Sequence, residues 1–210
     1  MIPSEEELDR ALCLRHGPEV HATIKSATVG IAGLGGLGSN IAAMLTRTGV
    51  SHLIIADFDS VDISNINRQN YSLRQLGSAK VSATDENLKA INPYMTIEKH
   101  HVKLTPSNIP DVFGRCGIVC EAFDVASEKA MLINTLLEKC PKTKIVSGSG
   151  LAGYGRSNDI RTKKLLADLY MCGDDIDMKG VKGGLMSPRV NVCAGHAANM
   201  VISLLMKEDL

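Results

Sequence analysis

A glycine-rich segment near the start of the chain has the spacing of a phosphate-binding loop. Gly33, Gly35, Gly36 and Gly38 lie in the run Gly-Leu-Gly-Gly-Leu-Gly, which fits the pattern G-x-G-x-x-G. An apolar, β-branched run precedes it and a helical pattern follows, so helix N-terminal amides can receive phosphate there. Asp57 ends the next apolar run, 19 residues after Gly38. At that position a carboxylate can accept hydrogen bonds from the ribose hydroxyls of a nucleotide. The sequence therefore predicts a nucleotide site; the alternative is that the glycines only permit tight helix–strand packing.

The polar residues that follow distinguish between nucleotides. Asp57 and Asp59 close the strand in Asp-Phe-Asp, then Asn65 and Arg68 follow in Ser-Asn-Ile-Asn-Arg-Gln, and Lys80 begins the next helical pattern. A dinucleotide presents only a pyrophosphate, whereas the triphosphate of ATP needs further donors and cations around its β and γ groups. Each residue alone is typical of a solvated surface. As a set, we interpret Asn65, Arg68 and Lys80 as ligands of a triphosphate.

Asp124 is the candidate metal ligand. It follows the apolar run at 117–123, the fourth strand candidate. In the strand order 3-2-1-4-5, strands 1 and 4 are neighbours, so the loop after strand 4 faces the glycine loop across the crevice. There a carboxylate can hold Mg²⁺ beside the phosphates. The alternative is that Asp124 caps the next helix, although Ser127 can cap that helix itself.

Short apolar runs alternate with helical periodicity over most of the chain. The strand candidates fall at residues 28–33, 51–57, 95–104, 117–123 and 144–147, with helical patterns at 41–48, 78–91 and 127–140. This alternation predicts an α/β fold, with a Rossmann-like, doubly wound, mainly parallel sheet and helices on both faces.

A single domain is expected from 210 residues. It divides into an N-terminal helical segment (1–27), a nucleotide-binding core (28–150), a glycine-rich crossover loop (151–189) and a C-terminal helix (190–210). The loop loses periodicity, and we expect it to form a mobile cover, with a short helix near 163–170.

Composition excludes several other function classes. Lys plus Arg and Asp plus Glu number 23 each, so no overall field attracts nucleic acid or an anionic membrane, and aromatic residues make up only 3%. We expect no nucleic-acid partner and no membrane association. The first residues lack the features of a signal peptide, so we expect a cytoplasmic protein. His100 and His101 point to opposite faces of a strand, and Cys193 and His196 at i, i+3 are expected to pack against the sheet.

In their order, these motifs resemble the adenylation core of the E1-like enzymes, the ThiF and MoeB group. The resemblance runs from about Arg10 to Ser147 and is similar above all to the short, second family of ThiF proteins in thiamine synthesis. It implies ATP as cofactor and a ubiquitin-like sulfur carrier ending in Gly-Gly as partner. The carrier's terminal carboxylate attacks the α-phosphorus, giving an acyl-adenylate and pyrophosphate.

The resemblance also implies residue roles. Asp57 would hold the ribose and Asp124 the Mg²⁺, while Arg68 and Lys80 would withdraw charge from the leaving pyrophosphate. Arg10 would reach the γ-phosphate from the partner subunit of a homodimer. Longer relatives carry two C-x-x-C pairs that bind structural zinc; this chain has none, so no structural zinc is expected.

Three points stay open at this stage. Longer relatives use a cysteine in the crossover loop, and Cys172 occupies that loop here, but nothing near it in sequence lowers its pKa. An NAD-dependent oxidoreductase would suit the glycine loop and Asp57 equally well, yet it leaves Arg68, Lys80 and Asp124 unexplained. An E1-like subunit that binds a carrier without catalysis is the non-enzymatic alternative.

Overall fold

A mainly parallel sheet of seven strands forms the centre of the computed structural model, which describes residues 2–149, 151, 153–174 and 184–210. The strands are β1 (Thr28–Ala32), β2 (His52–Ala56), β3 (Thr96–His100), β4 (Ile118–Glu121), β5 (Lys144–Gly148), β6 (Arg161–Leu166) and β7 (Leu169–Gly173). Their order across the sheet is β3-β2-β1-β4-β5-β7-β6. Among the strands of the described residues, only β6 runs antiparallel to its neighbour. The predicted 3-2-1-4-5 order is confirmed, and β7 and β6 extend it.

Helices cover both faces of the sheet. They are α1 (Glu5–His16), α2 (Pro18–Ser26), α3 (Gly36–Thr48), α4 (Lys80–Ile91), α5 (Ile109–Phe113), α6 (Ala126–Lys139) and α7 (Ser187–Leu205). One apolar cluster packs α3, α4 and α7 against the sheet, and a second packs α5 and α6 against the other face. The predicted doubly wound α/β fold is therefore confirmed. Among the described residues, no helix combines the length and apolar character needed to cross a membrane.

The direction in which the chain winds across the sheet reverses at β1. This strand pairs in parallel with β2 on one side and with β4 on the other. The chain leaves β1 into α3 on one face and leaves β4 into α6 on the other face, which opens a crevice at the carboxyl ends of the two strands.

Residues 151–189 differ most from their prediction. The expected helix near 163–170 is wrong, because the chain forms the antiparallel hairpin β6–β7 across Ala167 and Asp168. The final helix begins at Ser187, three residues before the predicted boundary. Residues 152 and 175–183 of the predicted mobile cover lie outside the described residues.

The start of α6 also corrects a prediction. Val125 occupies the N-cap position and supplies no side-chain hydrogen bond, while Ser127 lies inside the first turn. The expectation that Ser127 caps this helix is wrong, and Asp124 does not cap it either. The Asp124 carboxylate is therefore not used as a helix cap and can interact with a ligand in the adjacent crevice.

Candidate active site

A cavity of about 770 Å³ occupies the crevice at the carboxyl ends of the strands. This volume lies in the range of roughly 300–1,000 Å³ that is usual for ligand sites. Its walls come from the glycine loop after β1, the segment after β2, residues 102–104 after β3, the β4–α6 loop, and the start of α7. The position agrees with the rule that open α/β sheets bind ligands at the switch point.

The glycine loop separates two roles that its motif does not distinguish. Gly33, Gly35 and Gly36 line the cavity, and Gly33 adopts φ 88°, a conformation that favours glycine. Gly38 does not line it. A Cβ at Gly38 would lie 1.9 Å from the Gly33 carbonyl oxygen, so Gly38 permits close helix–strand packing. The packing interpretation of the motif therefore applies to Gly38, while Gly33, Gly35 and Gly36 stay candidates for ligand binding.

The Asp57 carboxylate is buried at the cavity wall and fixed by two backbone donors. Leu34 N–H donates to Oδ2 over 2.6 Å, and Asp59 N–H donates to Oδ1 over 2.7 Å. Burial raises the pKa of Asp57 above its ordinary value, while the charge of Lys80 and the two backbone hydrogen bonds oppose that rise. Each carboxylate oxygen keeps a second lone pair for a ligand hydroxyl.

Lys80 and Arg68 bring positive charge to the same cavity. Lys80 is buried at the first position of α4, and its Nζ lies 2.8 Å from Asp59 Oδ2. Arg68 packs beside Gly36, and its Nη1 donates to Ser64 O over 2.8 Å. Both residues line the cavity, as does Asp59.

Asn65 does not line the cavity. Its Oδ1 accepts from Asp62 N over 3.0 Å and completes a reciprocal cap of a short 3₁₀ turn, Ile63–Asn65. The Arg68 N–H in turn donates to Asn65 O over 3.1 Å. In this structure Asn65 shapes the loop that presents Arg68.

Asp124 lies exposed in the cavity between β4 and α6, and no side-chain hydrogen bond holds it among the described residues. Those residues contain no group of three or more His, Cys, Asp or Glu arranged around a metal. Mg²⁺ at nucleotide sites, however, is usually held by one or two carboxylates together with phosphates and water. The donor set therefore fits a magnesium ion shared with a nucleotide.

Sequence reasoning missed a second charged pair, of which Lys129 lines the cavity and Glu121 is buried beside it. Glu121, the last residue of β4, has a fully buried side chain, and Lys129 Nζ lies 2.8 Å from its Oε2. Ser147 Oγ donates to the same oxygen over 2.5 Å, and Phe123 N–H donates to Oε1 over 2.7 Å. The sequence feature that could have indicated this pair is the glutamate at the end of an otherwise apolar strand. A glutamate that is buried there needs a partner of opposite charge.

Arg10 lies near the amino ends of the strands, which we call the amino edge of the sheet. The cavity lies at the carboxyl ends of the strands, the carboxyl edge. The helix that carries Arg10 packs where the strands begin. Leu12 Cδ1 lies beside Gly49, 3.2 Å from the position of an added Cβ, and Gly49 comes just before β2. Tyr94, just before β3, donates its hydroxyl to Pro3 O at the start of the same segment. The active-site cavity opens at the opposite ends of the strands. Arg10 is exposed, and it is not part of its own chain's cavity.

Cys172 lies in β7 with no exposed surface, not in a loop as predicted. Burial raises the pKa of its thiol, which disfavours the reactive thiolate. Cys193 is buried against the same region and donates to Cys172 O over 3.4 Å, so its predicted packing is confirmed. His196 is half-buried, with Nδ1 3.1 Å from Thr162 Oγ1.

Fold and cavity together define a Rossmann-like α/β protein with a cavity at the switch point, where such sheets bind ligands. A family model described as the ThiF family matches residues 9–210, and the chain belongs to that family. The predicted resemblance to the E1-like ThiF and MoeB group is thereby confirmed.

Individual relatives match over shorter stretches. Ubiquitin-like modifier-activating enzyme 5 of Caenorhabditis briggsae is 43% identical over 90 residues, 43% of this chain and 21% of that protein. The Gallus gallus enzyme of the same name is 42% identical over 82 residues, which cover 39% of this chain and 21% of that enzyme. The chain thus matches about a fifth of the length of these relatives.

Two solved structures share the fold. E. coli tRNA N6-threonylcarbamoyladenosine dehydratase, TcdA, in complex with ATP gives a TM-score of 0.86 at 20% identity and covers 99% of this chain and 98% of its own. E. coli MccB with ATP gives 0.69 at 23% identity, over 90% of this chain and 58% of its own. The first of these similarities, over 99% of this chain, includes the hairpin β6–β7 as well as the core.

Proposed function

We propose that this protein uses MgATP to adenylate the C-terminal glycine carboxylate of a ubiquitin-like, ThiS-like sulfur carrier, in thiamine biosynthesis. The observation that carries the proposal is the convergence of the glycine loop, Asp57, Arg68, Lys80 and Asp124 on one cavity. A dinucleotide would leave the cations and Asp124 without a role. Relatives named ubiquitin-like modifier-activating enzymes and fold neighbours crystallised with ATP support the same class of reaction.

In this mechanism a carboxylate oxygen of the carrier attacks the α-phosphorus of ATP, and the bond from that phosphorus to the bridging oxygen breaks. The products are an acyl-adenylate and pyrophosphate. Asp57 accepts ribose hydroxyls, and the amides of Gly35 and Gly36 receive phosphate at the start of α3. Arg68 and Lys80 stabilise the charge that develops on pyrophosphate, and no covalent protein nucleophile is needed.

Asp124 is the residue that would hold Mg²⁺ against the phosphates. When bound there, the ion would neutralise phosphate charge. Lys80 is already oriented by Asp59, so its ammonium needs little rearrangement to meet an incoming anion.

The proposed active unit is a homodimer in which Arg10 completes the site of the neighbouring subunit. Arg10 is exposed at the edge of the sheet remote from its own cavity. A role in nucleotide binding therefore requires a second copy, which is the isologous arrangement common in dimers.

ATP–pyrophosphate exchange with a panel of purified carriers ending in Gly-Gly tests the proposal. We expect exchange only with ATP, magnesium and a carrier, and the greatest rate with a ThiS-like carrier. A rise in melting temperature with NAD but not with ATP and Mg²⁺ would indicate the oxidoreductase instead. Binding of ATP and carriers without any exchange would indicate a non-catalytic carrier-binding subunit.

A further inference from the structure

Lys129 presents a cation to the part of the cavity that the proposed nucleotide contacts do not use. It lies in α6, about one-fifth of its side chain is exposed, and it lines the cavity. Its Nζ lies 4.0 Å from the position of a Cβ on Gly148, the last residue of β5. The ammonium therefore stands at the carboxyl end of β5.

The order of the strands divides the cavity into three parts. Asp57, after β2, marks the nucleoside part, and the glycine loop after β1 with Asp124 after β4 marks the phosphates. The next strand along is β5, followed in the cavity wall by Ser149 and Leu151. A substrate that attacks the α-phosphorus needs a place beside the phosphates and away from the nucleoside, which is the β5 end.

Glu121 fixes the direction of the Lys129 side chain. The carboxylate holds the ammonium through distances of 2.8 and 3.1 Å from Oε2 and Oε1 and is itself locked by Ser147 and Phe123. A lysine ammonium carries three hydrogens, and Glu121 can accept at most two of them. No third partner occurs among the described residues, so at least one donor remains for a ligand in the cavity.

We propose that Lys129 binds the carboxylate of the acyl substrate and positions it for attack on the α-phosphorus. The inference rests on the proposed function, because it assigns the substrate end of the same cavity. The reaction brings a carboxylate against an anionic phosphate, so a cation at the carboxylate offsets their repulsion. The ligand class is a C-terminal carboxylate on an extended chain. Lys129 makes no contribution to binding ATP alone.

The test compares one ThiS-like carrier in two forms, with a free C-terminal carboxylate and with a C-terminal amide. Binding is measured by calorimetry to the protein loaded with Mg²⁺ and a non-hydrolysable ATP analogue. The wild type should bind the free acid about 10- to 140-fold more tightly, the range expected for a hydrogen bond to a charged group. Lys129→Met should reduce this preference to within about threefold, while Lys129→Arg should retain much of it.

Two further variants separate ligand binding from structure. Lys129→Met leaves the buried Glu121 charge without its partner, which can destabilise the fold. Glu121→Gln/Lys129→Met removes that charge, so it should recover the melting temperature without recovering the preference for the free acid. Lys139→Met is the matched control on the same helix, since Lys139 is exposed and its ammonium donates to Pro106 O at the surface. It should retain the full preference.

Three results would overturn the assignment. They are a wild type that binds acid and amide equally, a folded Lys129→Met that keeps the preference, and a loss of affinity for the ATP analogue alone in that variant. The last result would assign Lys129 to the nucleotide. Absence of pyrophosphate exchange by the wild type with every carrier instead refutes the proposed function, and the acid–amide comparison still decides the role of Lys129.

Discussion

The two edges of the sheet use charged residues in opposite ways. At the carboxyl edge, the buried charges of Asp57 and Lys80 stand in the wall of a cavity of about 770 Å³, and the buried Glu121 pairs with Lys129, which also lines that cavity. At the amino edge, Lys25 binds Glu5 and Asp9, and the space between these residues is about 10 Å³. That space holds a single water at most.

The two edges differ in which charges are available to a ligand. At the amino edge the Lys25 ammonium lowers the pKa of Asp9 through a direct hydrogen bond, and His21 Nε2 lies 3.0 Å from the same carboxylate. These groups bind one another and hold α1 and α2 together. At the carboxyl edge Asp57, Lys80 and Lys129 also have hydrogen-bond partners, but each of them lines the open cavity. We therefore expect chemistry at the carboxyl edge, and assembly at the amino edge through the exposed Arg10.

The largest effect is expected at the carboxyl edge, from Asp124→Ala. Its carboxylate is exposed in the cavity, so its loss should leave the fold intact and remove the metal ligand. Pyrophosphate exchange should fall roughly 100-fold or more, the loss typical for removal of an electrostatic group at a reaction centre. Asp111→Ala, at an exposed position of α5, is the matched control and should retain activity. Activity in Asp124→Ala equal to that of the control would refute the metal assignment.

A mixing experiment tests whether the amino edge of one subunit serves the carboxyl edge of another. Arg10→Ala and Asp124→Ala should each be inactive alone. Hybrid dimers contain one site with all its residues, so the mixture should regain up to about a quarter of wild-type activity if exchange is random and the sites are independent. A mixture that stays inactive after subunit exchange has been verified, or full activity of Arg10→Ala, contradicts the shared site.

Asp57→Ala should weaken ATP binding more than it slows the reaction at saturating ATP. Hydrogen bonds from ribose hydroxyls to a carboxylate are charge-assisted, and their loss should cost about 1.5–3 kcal/mol of binding free energy. Calorimetric titration with the non-hydrolysable analogue measures the effect. An unchanged dissociation constant would remove Asp57 from the ribose site.

The smallest effect is expected away from both edges, at Asp209. Lys164 and Tyr170 hold its carboxylate and lower its pKa from 3.8 to about 2, with the Lys164 hydrogen bond as the main cause. A depressed folded-state pKa stabilises the fold above pH 3.8, and that contribution is lost as the pH falls toward 2. Asp209→Asn should therefore lower the melting temperature slightly at pH 7 and not at all near pH 2. Because the pair is exposed, a drop of many degrees, or one that persists at pH 2, would contradict this account.

The core of the fold was predictable because its strands and helices have clean periods. The runs ending at Ala32 and Ala56 are apolar and buried, and each is followed by polar residues that mark the carboxyl edge. The hairpin β6–β7 lacks such signals. Thr162 alone among the residues of β6 is partly buried, so the edge strand shows no alternation, and the turn at 167–168 contains no glycine.

Cavity residues were predictable where they belong to a sequence motif. They were not predictable where a charged residue pairs with one on another element. Asp57, Arg68, Lys80 and Asp124 were found from spacing, and all four line the cavity. The pair of Glu121 and Lys129 was missed because its two charges belong to different elements. The motif itself cannot indicate which of its glycines face the cavity, because all four are the same residue type. Only the structure shows that Gly38 packs against the Gly33 carbonyl oxygen instead.

The most direct test of the central claim is mass spectrometry of a Gly-Gly-ending, ThiS-like carrier after incubation with the protein, ATP and Mg²⁺. We predict a carrier that gains the mass of one adenylyl group, which is AMP less one water, at its C-terminus, with the wild type and not with Asp124→Ala. A carrier that binds the ATP-loaded wild type yet never acquires AMP would contradict it.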